Sequence, residues 1–242
     1  MELLLVNIAL IGSVLFGGML VALVHRTKNE QIIKLMLAFS GGFLLSIAFI
    51  HFIPELYEHS HLNVGVYILI GFLIQLILEF FSGGIEHGHV HTQEGAKIPI
   101  ALIIALGAHS FLEGVPLGSQ LAGVEIATSH HHSDDNSLLL GILFHRIPVA
   151  IALMTLLTVS KASRLKSWLI LSIFAITTPI ALIMGYSSQS IDFDFDIILA
   201  IVVGMFLHIS TTIIFETSEN HKFNLLKLMT ILGGCALAFF IH

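Results

Sequence analysis

The chain has 242 residues, 56% of them hydrophobic and only 11% charged, with a mean hydropathy of +0.96. Soluble domains carry about 25% charged residues, so the composition excludes a water-soluble globular class. Ten Lys and Arg against 16 Asp and Glu give a formal net charge of −6, which leaves no basic footprint for a phosphate backbone and excludes nucleic acid as a partner.

A segment needs about 20 apolar residues to cross a hydrocarbon core of ~30 Å. Eight such runs are present, at roughly 3–24, 32–54, 63–82, 98–120, 137–159, 166–187, 196–216 and 223–241. The connections between them are short and polar, so residues 1–242 read as a single transmembrane domain, an all-α integral membrane protein of eight helices.

In chain order, the first run begins almost at Met1 without a basic leader, and reads as a retained span rather than a cleaved signal. The second ends in "HFIPE", with His51 and Glu55 one turn apart. In the third, Glu79 near its end reads as a side chain reaching for water. The connection after it contains "HGHVH", with His87, His89 and His91.

The fourth span, in "KIPIALIIALGAHSFLEGVPLG", holds His109 and Glu113 on one helical face about half-way across the bilayer. The following connection carries "HHHSDD", with His130, His131, His132, Asp134 and Asp135. The fifth span contains "HRIPVA", placing His145 and Arg146 at matching depth, and the sixth reads "AITTPIALIMG". The seventh has His208 near its middle and Glu216 near its inner end. The eighth holds Lys227 and the single cysteine, Cys235, so no intrachain disulfide can form.

Ionisable groups at membrane depth cost a few kcal/mol or more to place and mark function. A buried histidine standing alone, such as His208, is equally consistent with a structural role. The His109/Glu113 pair is different, because His145 supplies a second imidazole at the same depth in the next span. Imidazole nitrogens with a carboxylate oxygen suit divalent first-row metals, and the lack of thiolate argues against a soft Cu(I) site. Pro54, Pro116, Pro148 and Pro179 each leave the carbonyl four residues earlier without its donor. Such carbonyls must find partners or line a wet cavity, as in transporters with broken helices at the midplane. The histidine-rich connections suit weak metal capture.

Orientation follows the cations. Arg26, Lys28, Lys34, Lys97, Lys161, Arg164, Lys166 and Lys222 lie at or beside the odd-numbered connections. The even-numbered connections carry Glu55, Glu58, Glu125, Asp134, Asp135, Asp192, Asp194 and Asp196 and no Lys or Arg. Odd connections are therefore expected in the cytoplasm and both termini outside, with an acidic outer face that concentrates cations.

At this point the residues resemble a known family. "HSFLEG" resembles the span-four signature of the ZIP (Zrt/Irt-like) family, His-Asn/Ser-x-x-Asp/Glu-Gly, and "HRIPVA" is similar to its span-five element, often His-Glu-x-Pro-His-Glu. "HFIPE" and "GMFLHIS" resemble its second and seventh spans, and the likeness covers essentially the whole chain. The family takes Zn²⁺, and in some members Fe²⁺, Mn²⁺ or Cd²⁺, into the cytosol along spans two, four, five and seven. The resemblance implies His109, Glu113 and His145 as metal ligands and Ser110 as an auxiliary position. It also exposes departures. Arg146 and Val149 stand where many members have acidic or histidine ligands, and Thr178 where some bacterial members have a ligand glutamate. One metal ion rather than two is therefore expected, with Arg146 as a tethered cation in the second position, paired with Glu113 or a span-seven group.

The function expected is uptake of a divalent cation, zinc foremost. The ion would enter past His51 and Glu55, bind His109, Glu113 and His145 with His208 as a further candidate, and leave past Glu216 toward His87, His89 and His91. The metal is substrate, and no cofactor is expected. No phosphate-binding loop for ATP is present. Metal binding at a His/Glu site displaces protons, so a pH dependence is expected. The alternatives are a metal sensor without flux and an intramembrane zinc hydrolase, the latter lacking a His-Glu-x-x-His motif. A cation-diffusion type exporter would have about six spans and a cytosolic metal-binding domain. The sequence leaves oligomeric state open, a homodimer being one option. The compact chain suits a bacterial inner membrane.

Overall fold

The computed structural model describes residues 1–23, 30–59, 63–82, 98–123, 136–188, 194–216 and 225–241, without the side chains of Glu30, Ile33, His59, Glu216 and Ile241. Among the described residues the only regular structure is helix, as hydrocarbon demands when every backbone N–H and C=O must be paired within the segment. The helices are α1 (Glu2–Leu23), α2 (Glu30–Ile47), α3 (Ile53–His59), α4 (Val64–Ser82), α5 (Ile100–Leu121), α6 (Ser137–Val159), α7 (Arg164–Ser187), α8 (Phe195–Glu216) and α9 (Leu225–Ile241). Among the described residues seven segments are long and apolar enough to cross a membrane, and α9 is a shorter apolar helix of 17 residues.

The second predicted span is not one regular helix. Between α2 and α3 lies a π turn over Ala48–Phe52, closed by the Ile53 N–H donating to the Ala48 carbonyl. Pro54 follows at once, without an N–H and with a ring that crowds the preceding turn. The wider π turn absorbs that misfit, and it is where His51 sits.

The helices pack as two groups. In the first, α5 lies against α7 and α1 against α6 and α7; in the second, α4 lies against α8 and α2 against α8 and α9. Contacts of α2 with α6 and of α4 with α5 join the groups. An apolar cluster confined to the first group runs through Val14, Leu106, Val149, Leu153, Leu171 and Phe174. Outward-facing side chains such as Leu73, Phe80, Ile173, Ile180 and Phe240 are exposed and apolar, a surface suited to lipid tails.

Lipid offers no hydrophobic gain for bringing helices together, so close backbone approach supplies the attraction. A Cβ on Gly118 would lie 2.0 Å from the Leu182 carbonyl oxygen, and one on Gly185 2.2 Å from that of Val115, so α5 and α7 cross in direct backbone contact. Gly71 and Gly204 do the same for α4 and α8. The "GVPLG" repeat of small residues is thus the seam that seats α5, the helix of His109 and Glu113.

Glycines that face open space behave differently. Gly12 has nothing within 4 Å of a built Cβ, whereas at Gly17 it would meet the Ile147 carbonyl at 2.8 Å and the Ala150 Cβ at 2.9 Å. Gly12→Ala is expected to stabilise the protein by up to ~1 kcal/mol through helix propensity. Gly17→Ala is expected to cost ~1–3 kcal/mol through overpacking of α1 on α6. Thermal unfolding of the two variants in detergent would separate them by several degrees in opposite directions.

Candidate metal centre

His109 and Glu113 fall on one face of α5 because 3.6 residues complete a turn, and His109 lies about 14 Å along a helix of about 33 Å. Its Nε2 is 2.9 Å from Glu113 Oε1. His145 enters from α6, its ring edge-on to that of His109 with centroids 5.7 Å apart. One ligand atom from each of the three residues lies within 4.8 Å of the others, and all three residues are buried. Bonds of about 2.0–2.2 Å to a divalent ion would place adjacent ligand atoms about 3 Å apart, so the set is close to a coordination shell. A short contact between an imidazole nitrogen and a carboxylate oxygen calls for a cation between them, a proton or a metal ion. Three protein ligands leave at least one position for water, the open arrangement of an exchangeable site rather than a closed structural cage.

The His109 Nδ1 lies 3.1 Å from the side-chain oxygen of Gln75 on α4, which is fully buried. With Nδ1–H donating there, Nε2 keeps its lone pair toward Glu113 and His145. Gln75 was not among the site residues expected, although a lone amide inside "GFLIQLILEF" was the available signal. Glu79 lies one turn further along α4 and is not a side chain reaching for water: its Oε2 pairs with His208 Nε2. The Phe72 ring packs edge-on to His208 at 4.7 Å. His208 is thus tied to Glu79, and the three-residue group is formed by His109, Glu113 and His145.

Among the described residues the hydrogen bonds of Arg146 go to neither Glu113 nor a span-seven group. Its guanidinium lies on α7, where Nη1 donates to Thr178 Oγ1 and Nη2 to the carbonyls of Phe174 (3.2 Å) and Ala175 (3.3 Å). The Phe174 ring lies beneath it, 5.1 Å from the ring centroid to Cζ. The reason is Pro179: without an N–H it strands the Ala175 carbonyl, and in hydrocarbon a charged donor is a strong way to satisfy it. Thr178 Oγ1 in turn donates to the Ser110 carbonyl at 2.8 Å, closing a chain from α6 through α7 to α5. Val149, at the other departure, is packed in the apolar cluster of the first group.

The remaining expected residues are spread along the molecule. Ser110 is buried next to His109, with its Oγ making no hydrogen bond among the described residues. His51 Nε2 and Glu55 Oε2 are 3.6 Å apart and buried, a pair of their own at the π turn. Glu216 ends α8, its side chain outside the described part. His87, His89, His91, His130, His131, His132, Asp134 and Asp135 lie outside the described residues. Lys227 of α9 donates to the Ile214 carbonyl at 2.7 Å, satisfying one of the orphan acceptors at the end of α8.

Protein zntD of Dictyostelium discoideum is 29% identical over 170 residues, covering 63% of this chain and 24% of that protein. Zinc transporter SLC39A7 of Sus scrofa is 32% identical over 87 residues, 28% of this chain and 18% of that protein. Zinc transporter zipt-7.1 of Caenorhabditis briggsae is 30% identical over 96 residues, 29% of this chain and 24% of that protein. The chain thus spans about a quarter or less of the length of these relatives. The family model described as ZIP Zinc transporter matches residues 2–99 and 84–242. With seven described segments long and apolar enough to cross a membrane and a buried His/Glu/His group, and with both matches together running almost end to end, the chain belongs to the ZIP zinc transporter family.

Proposed function

We propose that the chain carries divalent metal cations, zinc foremost, across a membrane into the cytoplasm. The observation that carries this reading is the group His109, Glu113 and His145, three buried ligands from two apolar helices with their ligand atoms within 4.8 Å of one another. The names of the relatives, two of the three above being called zinc transporters, support zinc as the substrate. Fe²⁺, Mn²⁺ and Cd²⁺ suit the same donor set and are secondary candidates. Both termini lie outside in this reading, by the distribution of Lys and Arg, and the ion passes from His51/Glu55 to the midplane group and on toward Glu216. The relatives named are eukaryotic, so the reading does not depend on a bacterial inner membrane.

Purified protein in liposomes should take up Zn²⁺ down an imposed gradient, and His109→Ala should reduce uptake to the protein-free background. Absence of uptake by the wild type, with zinc still bound, would favour a sensor. Cleavage of a lipid or peptide without flux would favour a hydrolase.

A further inference from the structure

The acceptor that orients His109 belongs to the opposite helix group from the ligands. His109 and Glu113 sit on α5 and His145 on α6, both in the first group, whereas Gln75 sits on α4 in the second. We infer that Gln75 is a positioning residue for metal binding: its side-chain oxygen accepts the His109 Nδ1–H and thereby holds Nε2 bare toward the metal. This rests on the reading of His109 as a metal ligand.

The chemistry is that of an outer-shell partner. A neutral imidazole carries one proton, and only the nitrogen without it can coordinate. Fixing the proton on Nδ1 selects the coordinating nitrogen, sets the ring plane and raises its basicity. The geometry has the required parts: a 3.1 Å contact between two buried side chains, and Nε2 on the far side of the ring facing Glu113 Oε1 at 2.9 Å. Were the Gln75 amide turned to present its NH₂, Nε2 would carry the proton and could not bind a cation. Glu79 of α4 pairs with His208 of α8 within its own group, whereas the Gln75 contact with His109 crosses between groups. Because it crosses, it depends on the registry of α4 against α5. A slide of one helical turn, about 5.4 Å, would carry His109 out of reach of Gln75. Tight binding is thereby coupled to the arrangement of the two groups.

The test combines solid-state ¹⁵N NMR of histidine-labelled protein in bilayers with zinc titration against a competing chelator, His109 being assigned by loss of its signals in His109→Ala. In the zinc-bound wild type the His109 ring should show a protonated Nδ1 and a coordinated Nε2. Gln75→Leu should weaken zinc binding about 10–100-fold and allow both tautomers to appear, as expected for loss of an outer-shell partner. Gln75→Glu keeps an acceptor at the same reach and should return affinity to within about threefold of wild type, with Nδ1 protonated. A wild-type spectrum with Nδ1 coordinated and Nε2 protonated would overturn the inference, whatever the variants do. So would a Gln75→Leu protein with unchanged affinity, or one with reduced affinity and an unaltered tautomer, which would leave only packing. If His109→Ala binds zinc like the wild type, the metal-site reading itself fails, a result distinct from these.

Discussion

Replacing His109, Glu113 or His145 singly by alanine is expected to weaken zinc binding by roughly 100-fold or more. A four-ligand structural zinc site is worth about 10–16 kcal/mol, or about 3 kcal/mol for each ligand, which is roughly two orders of magnitude in affinity. The three side chains are buried within 4.8 Å of one another, so water that replaces one of them enters as a weaker ligand without a fixed position. Folding should survive, because each variant removes a costly polar group from hydrocarbon and leaves the glycine seam between α5 and α7 untouched. His51→Ala and His208→Ala serve as controls. Both histidines make their own pairs, with Glu55 and Glu79, and their loss should change affinity at the midplane group by no more than a few-fold. Titration with a chelator competitor in lipid nanodiscs measures all five variants on one scale. Equal losses for His208→Ala and His109→Ala would show that the group has been drawn too small.

The second large effect is expected at Arg146, and it divides into two parts that different substitutions separate. Arg146→Met removes the donor from the carbonyls of Phe174 and Ala175 and from Thr178. A buried acceptor left unsatisfied costs ~1–3 kcal/mol, so thermal stability should fall by that much or somewhat more. The same change removes a fixed positive charge one residue from a metal ligand. Like charges repel over several ångströms at the low effective dielectric of a protein interior, and a divalent ion feels twice the repulsion of a monovalent one. Zinc should therefore bind at least about tenfold more tightly to Arg146→Met, while the protein that binds it is less stable. Arg146→Lys keeps the charge and loses the planar fork, so it should lower stability without the gain in affinity. Unchanged zinc affinity in Arg146→Met would confine Arg146 to a structural role on α7.

How much of this was legible in advance depends on the range of the interaction concerned. The spans were readable because a bilayer imposes a length of about 20 apolar residues on every crossing, and helix is the form in which a lone segment satisfies its own backbone. The predicted run at 137–159 coincides with α6, Ser137–Val159, and the other boundaries fall within a few residues of the helices observed. The His109/Glu113 pair was equally legible, since two residues four apart share a face whatever the rest of the chain does. Its junction with His145 was suggested by matching depth alone, and it became a site only when α5 and α6 were brought together.

The contacts that the sequence left open share one physical origin. Glu79 near a span end looked like a group reaching for water, and His208 like a further ligand; in the fold the two satisfy each other across α4 and α8. Arg146 next to His145 looked like a partner for Glu113. Its nearest need was a carbonyl stranded by Pro179, thirty-odd residues away on a different helix. Gln75 had no recognisable role until α4 was laid against α5.

By itself, the sequence determined the membrane setting, the all-helical class, and which two residues of the fourth span would face the same way. These follow from local composition and the 3.6-residue turn, which act before any helix meets another. Only the tertiary structure decided which polar side chains meet. In hydrocarbon every buried polar group must find a partner, and which partner it finds depends on which helices the glycine seams bring into contact.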